Sequence, residues 1–322
     1  MIHTRAWQHT MATALRRGTV LLVLLALGIF FSLSTDRFLQ SNNLLNIAVQ
    51  NAPVIVVAIG MTLVMLVGGI DLSVGSVAAL SGAVAAGLVA RSELPVAVGM
   101  LAGVIVGWGL GLVNGALVVY GKLPPFVATL AMLGVARGLT LGYTEGRPIS
   151  VRTFPDFTFW GRDSIGPFPA PVVVAVIIIV LAWLLLTRTR FGLHIYAIGG
   201  NEETARLAGV PVNRVKLLTF SMSGMLAAVG GILFTARLFS AQPQAGVGLE
   251  LDAIAASVLG GVSLFGGVGN ALSTVVGTLL VGTLGNGLLL LRVASYPQQI
   301  IQGIVLVLAV GVDMFAKRLE QR

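Results

Sequence analysis

The chain has 322 residues, of which 56% are hydrophobic and only 10% charged, and its mean hydropathy is +0.96. A soluble domain carries roughly 25% charged residues and cannot bury so much apolar surface, so a water-soluble enzyme or binding module is excluded. The net charge of +8 is accompanied by no cysteine, which removes disulfides and thiolate metal sites.

Crossing ~30 Å of hydrocarbon takes about 20 apolar residues. Such windows run Gly18 to Ser34, Leu44 to Val67, Leu72 to Ala90, Pro95 to Tyr120 and Pro124 to Tyr143 in the first half. The second half adds Pro167 to Thr187, Leu217 to Phe239, the short Ala253 to Phe265, Ala271 to Leu291, and Pro297 to Phe315. They predict an all-α fold: a polytopic membrane bundle of about ten transmembrane helices. The chain reads as one domain over 1–322, with cytoplasmic tails at 1–17 and 316–322 and one long inner loop at 188–216. Arg16-Arg17 before the first apolar run resembles a leader, but an uncleaved first span has the same flanks.

Ten alternations with the N-terminus inside place both termini and twelve of the twenty basic residues on the cytoplasmic side, among them Arg188, Arg190, Arg206, Arg214 and Lys216. That agrees with the positive-inside rule. The basic balance therefore suits an anionic lipid surface and gives no reason to expect nucleic acid.

Two apolar runs break at a glycine pair, at Gly68-Gly69 (GGIDLSVGS) and at Gly260-Gly261 (GGVSLFGGVG). Non-helical backbone at membrane depth is tolerated only where protein or a water-filled cavity surrounds it. Paired interruptions in two halves of a chain point to a substrate path. The halves echo each other further: Asn114-Gly115 and Asn286-Gly287 are each followed, eleven residues after the Asn, by a proline that opens an apolar run. These echoes are read as an internal repeat. Gly99, Gly103, Gly107, Gly111 and Gly115 recur every four residues in the fourth span, a groove suited to tight helix packing.

The inner loop encodes a short helix. Asn201 is an N-cap, Glu202 and Glu203 lie in the first turn, Gly209 fits the position just past the end, and Pro211 prevents continuation. Ala205 and Ala208 would give it a slim face for a groove in another protein.

At these residues a family resemblance becomes specific. Glu203-Thr204-Ala205-x-x-x-Gly209 is similar to the E-A-A-x-x-x-G loop of ABC-importer permeases, with Thr for the middle Ala. The downstream I-x-L-P element is absent, which argues against the maltose or phosphate type. The blocks Gly60 to Gly82, Ala197 to Leu218 and Ser240 to Gly267 resemble the ribose-type monosaccharide permeases of the branched-chain amino acid/ribose permease superfamily. The resemblance implies a multi-pass subunit of a bacterial inner membrane. It also implies a second permease copy, identical or homologous, a cytoplasmic ATP-binding subunit and a periplasmic sugar-binding protein as partners. The path would then carry a ribose-like pentose or a related sugar by alternating access.

Asp71 is read as N-cap of the third span, a role compatible with shaping an adjoining cavity. Gln50, Asn51, Asn114 and Asn286 offer amides that suit a neutral polyol, and equally suit bonds between helices. With Gly68, Gly69, Ser73, Gly260 and Gly261 they form the expected translocation path. Gln242, Gln244, Glu250 and Asp252 lie in an outer segment expected to dock a receptor or act as a gate. ATPase coupling is expected at Asn201, Glu202, Glu203, Ala205 and Gly209. No phosphate-binding loop, metal-ligand cluster or cofactor motif is found, so ATP hydrolysis is assigned to a partner. A self-contained secondary transporter of a neutral solute would share the broken helices. It would need ion-coupling carboxylates, and only Asp71, Arg137 and Asp313 lie in or near spans.

Overall fold

The computed structural model describes residues 20–294, 296–298, 300–301, 303–304 and 307. The tails at 1–17 and 316–322 and most of the span expected from Pro297 to Phe315 lie outside the described residues. In chain order the elements are α1 (Val20–Ser34), α2 (Ser41–Leu66), α3 (Val74–Ala90), α4 (Val96–Val119), α5 (Pro125–Thr144), β1 (Ile149–Ser150), α6 (Pro155–Arg162), β2 (Ser164–Ile165) and β3 (Phe168–Pro169). There follow α7 (Ala170–Arg188), α8 (Arg190–Gly200), α9 (Glu202–Leu207), α10 (Val212–Leu238), β4 (Ser240–Ala241), α11 (Leu249–Leu259) and α12 (Ala271–Leu290).

Six of these, α2, α4, α5, α7, α10 and α12, are long and apolar enough to cross a membrane, and α1 and α3 are shorter apolar helices. The fold is that of a polytopic helical membrane protein. α11 has 11 residues, which at 1.5 Å per residue is about half the hydrocarbon thickness. The loop at 260–270 continues where it stops.

α2 and α10 form the centre. From Asn51 to Leu66 every residue of α2 except Val54 is buried, as expected of a helix enclosed by others. α4, α5 and α7 instead expose rows such as Leu101, Ile105 and Trp108, or Val176, Val180 and Leu181, a surface that hydrocarbon would cover. The α4 glycine stripe is buried against α3 and α10. A β-carbon at Gly99 would lie 2.8 Å from Ala85 O, and one at Gly103 2.6 Å from Ser81 O. The backbones touch there, as the fourfold spacing predicts.

β1 pairs with β4 and β2 with β3, both antiparallel. The sequence reading left these out, together with α6 and α8. Short, irregular outer segments have too few residues for a periodic signal, and α8 (RFGLHIYAIGG) is started by a cap, Thr189 Oγ1 accepting from Gly192 N at 3.1 Å.

Candidate functional site: two helix breaks, a polar cavity and an inner knob

α2 ends on a left-handed glycine. Gly68 has φ +78°, Gly68 N donates to Met65 O and Gly69 N to Val64 O, both at 2.9 Å. This is the C-terminal motif that glycine accommodates without steric cost. α11 ends the same way one residue later in the alignment of the two breaks: Gly261 has φ +85°, and Val262 N donates to Ser257 O at 2.9 Å.

After each glycine a side chain turns the chain. Asp71 Oδ1 accepts from Ser73 N at 3.0 Å and from Ser73 Oγ at 2.6 Å. Ser263 Oγ accepts from Phe265 N at 3.1 Å. The expectation that Asp71 caps α3 is corrected: the cap residue is Ser73, with no side-chain cap bond, because the carboxylate is occupied in a turn two residues long. Its other oxygen accepts from Ser223 Oγ at 2.8 Å, in the middle of α10. Asn114 Nδ2 donates to Ser73 Oγ at 2.9 Å. Asp71, Ser73, Asn114 and Ser223 are all at most 1% exposed. They are turned towards one another and join α3, α4 and α10 across the first break.

Other expected path residues meet elsewhere. Gln50, Asn51, Asp252 and Asn286 line one cavity of about 280 Å³ with Arg237, Thr278 and Gln298, at the C-terminal end of α10. It is near the lower limit of small-molecule sites, about 300 Å³. Asn51 Nδ2 donates to Ile47 O at 2.7 Å, and Asn286 exchanges amide bonds with Asn43 at 3.0 Å in both directions. Asp252, expected to face a receptor, belongs to this cavity.

The rest of that outer segment folds inward. Arg137, within α5, donates to Pro243 O at 2.7 Å and Ala245 O at 2.9 Å. A β-carbon at Gly75 would collide with Gly246 O and meet Glu250 Oε2 of α11 at 2.6 Å, so the loop reaches the first turn of α3. Gln242 donates to Ser240 Oγ at 2.7 Å, and Gln244 is exposed. Neither the loop's descent nor the Arg137 clamp was read from sequence. An arginine inside an apolar span, which must find acceptors in protein, was the available signal.

α9, in the loop expected to be cytoplasmic, has the form expected. Asn201 Oδ1 accepts from Thr204 N at 2.8 Å, and Gly209, at φ +81°, closes the end: Gly209 N donates to Arg206 O and Val210 N to Ala205 O, both at 3.0 Å. Glu202 is held by Arg206 at 3.0 Å and by Lys216. Desolvation raises its carboxyl, but the bond to Lys216 and the two cationic charges outweigh it and hold the group below the ordinary glutamate range. Ala205 is a correction. It is 4% exposed and packs into this chain's own core, because the six-residue helix needs an apolar residue to seat itself. Leu207 faces out instead, 84% exposed, and sequence reading passed over it because leucine is expected inside.

Residues 43–310 match the family model described as branched-chain amino acid transport system / permease component. The chain belongs to that family. Among proteins of known role this permease is 47% identical over 291 residues to the ribose import permease protein RbsC of Bacillus subtilis (strain 168), covering 90% of each chain. It is 44% identical over 313 residues to RbsC of Escherichia coli (strain K12), covering 96% of this chain and 95% of the other. A solved ABC transporter of metal-chelate type, in an inward-facing conformation, shares the fold with a TM-score of 0.52 at 16% identity, over 93% of this permease and 98% of that chain.

Proposed function

We propose that this permease is the membrane-spanning subunit of an ATP-binding-cassette importer for a monosaccharide, a ribose-like pentose or a close relative, in a bacterial plasma membrane. The observation that carries the coupling to ATP is α9: a helix capped at both ends, fixed to its own subunit by Ala205, and presenting Leu207 beside Arg206. An apolar knob left 84% exposed among the described residues is what a groove on an ATPase could grip. The two named ribose permeases support the substrate class.

In this reading ten spans cross the membrane with both termini in the cytoplasm. A second permease copy completes the path, and a sugar-loaded receptor docks outside. Nucleotide binding and release on the partner ATPases then rock the subunits between inward-open and outward-open states. The cavity supplies contacts to a neutral polyol: Gln50, Asn51 and Asn286 can each donate to and accept from hydroxyls. Such contacts are weak enough for the sugar to leave, as a transport path requires.

The test is ribose uptake into vesicles holding the whole complex. Leu207→Arg, and Gly209→Trp at a left-handed position that disfavours any side chain, are expected to abolish uptake while the subunit still reaches the membrane. Full uptake by either variant would sink the reading. So would accumulation of ribose by the permease alone under an imposed ion gradient.

A further inference from the structure

The two helix breaks meet the end of α8, just ahead of the knob formed by α9, at one point made of backbone. Leu66 O, the last carbonyl of α2, accepts from Gly267 N of the second break at 3.0 Å. Gly199, in the last turn of α8, lies directly against that bond, with no room for a β-carbon between it, Leu66 O and Gly267 N. A β-carbon on Gly266 would lie 3.0 Å from both Gly199 Cα and Gly68 N, so the first break is within reach of the same spot. Tyr196, one turn before, donates from its hydroxyl to Gly269 O at 2.8 Å. After Gly199 the chain needs only Gly200 to reach Asn201, the cap of α9.

Side chains between two helices can re-pack and absorb a displacement. Backbones in direct contact have nothing between them to yield. We infer that Gly199 is a positioning residue for transport, through which a shift of α9 is delivered to the end of α2 and to the second break at once. This rests on the reading that a partner ATPase grips α9. The consequence is that the two breaks move together rather than in sequence, because one contact drives both.

The neighbouring glycine provides the control. A β-carbon at Gly200 meets nothing within 4 Å, so Gly200→Ala should transport as the parent does. Both variants are to be reconstituted in liposomes with the ATPase and the sugar receptor, and basal ATPase, receptor-stimulated ATPase and ribose uptake measured. Gly199→Ala is expected to keep basal ATPase and co-purification of the ATPase while stimulation and uptake fall about tenfold, a usual size for coupling between sites. Tyr196→Phe, which loses a single hydroxyl, should lower stimulation and uptake about fivefold.

Gly199→Ala performing like Gly200→Ala overturns the inference. If Gly199→Ala does not reach the membrane, Tyr196→Phe decides: lowered stimulation with a normal complex supports the junction, and parental stimulation overturns it. Leu207→Arg separates this from the underlying reading. Normal uptake there removes the grip on α9 itself, whereas loss there beside a normal Gly199→Ala removes only the junction.

Discussion

The two helix breaks share a local grammar and differ in how they are anchored. Both end a helix on a left-handed glycine, Gly68 or Gly261, and both then turn on a side-chain oxygen that accepts from the residue two further on. Asp71 has a second oxygen and gives it to Ser223 of α10. Ser263 offers one oxygen where Asp71 offers two. The first break accordingly restarts as a helix at Val74, locked to the centre of the bundle. The second wanders as far as Asn270, with Phe265 63% exposed, before Asn270 Oδ1 caps α12 by accepting from Ser273 N at 2.8 Å. The difference teaches that the first break is tied into the bundle from two sides and the second from one, although both meet the end of α8 at Gly199.

The largest effect that could break this contrast is at the carboxylate. Asp71→Ala leaves Ser73 N–H, Ser73 hydroxyl and Ser223 hydroxyl without their acceptor in a buried place, a loss of roughly 3 kcal/mol at ~1 kcal/mol each. Ser263→Ala removes the bond that Phe265 N donates, worth about 1 kcal/mol. Thermal unfolding of the purified subunit in detergent should place the two variants in that order. Equal losses would mean that both breaks are anchored alike and that the contrast between them is an error.

Much of this was legible in the residues. Both breaks, the stub from Asn201 to Gly209 and the packing role of the α4 stripe follow from glycine, capping and charge rules that act within a few residues. Laying GGIDLSVGS over GGVSLFGGVG sets Asp71 against Ser263, and the paired turns give that alignment a physical meaning. What could not be read is long-range. Nothing local to Ala205 says that it faces its own core while Leu207 faces out. Nothing local to Gly199 places it on the carbonyl of Leu66, 133 residues away by the numbering. Amides were chosen for a path, but which of them converge on one cavity depends on helix rotation: Gln50, Asn51 and Asn286 do, whereas Asn114 is drawn to Ser73.

That division of the amides makes the next, smaller test. Asn43 and Asn286 exchange two bonds at the end of the cavity, so a double-mutant cycle between Asn43→Leu and Asn286→Leu should return a coupling of about 1 kcal/mol, within the range for polar pairs between membrane helices. Gln50→Leu, which alters the cavity lining and leaves that pair intact, should raise the KM for ribose uptake with little change in unfolding. A stability loss from Gln50→Leu equal to that from Asn286→Leu would assign Gln50 to helix packing and remove it from the path.

The smallest effect concerns the inner knob and is read by pH. Glu202 is held below its ordinary value of 4.5 when folded, the Lys216 and Arg206 contacts outweighing desolvation. A carboxyl depressed by folding contributes stability that is present above 4.5 and is lost as pH falls through the folded value. Because its side chain is 43% exposed, solvent screens the pair and the contribution stays at the scale of surface ion pairs, within about 1 kcal/mol. Hydrogen exchange of the amides at 203–208, corrected for the intrinsic pH dependence, should therefore show constant protection from pH 7 to 5 and decline only below 4.5. Lys216→Met should weaken protection at pH 7 and flatten the decline, because the stronger of the two favourable contacts is gone. A decline that begins near pH 6 instead would have to come from a group other than Glu202.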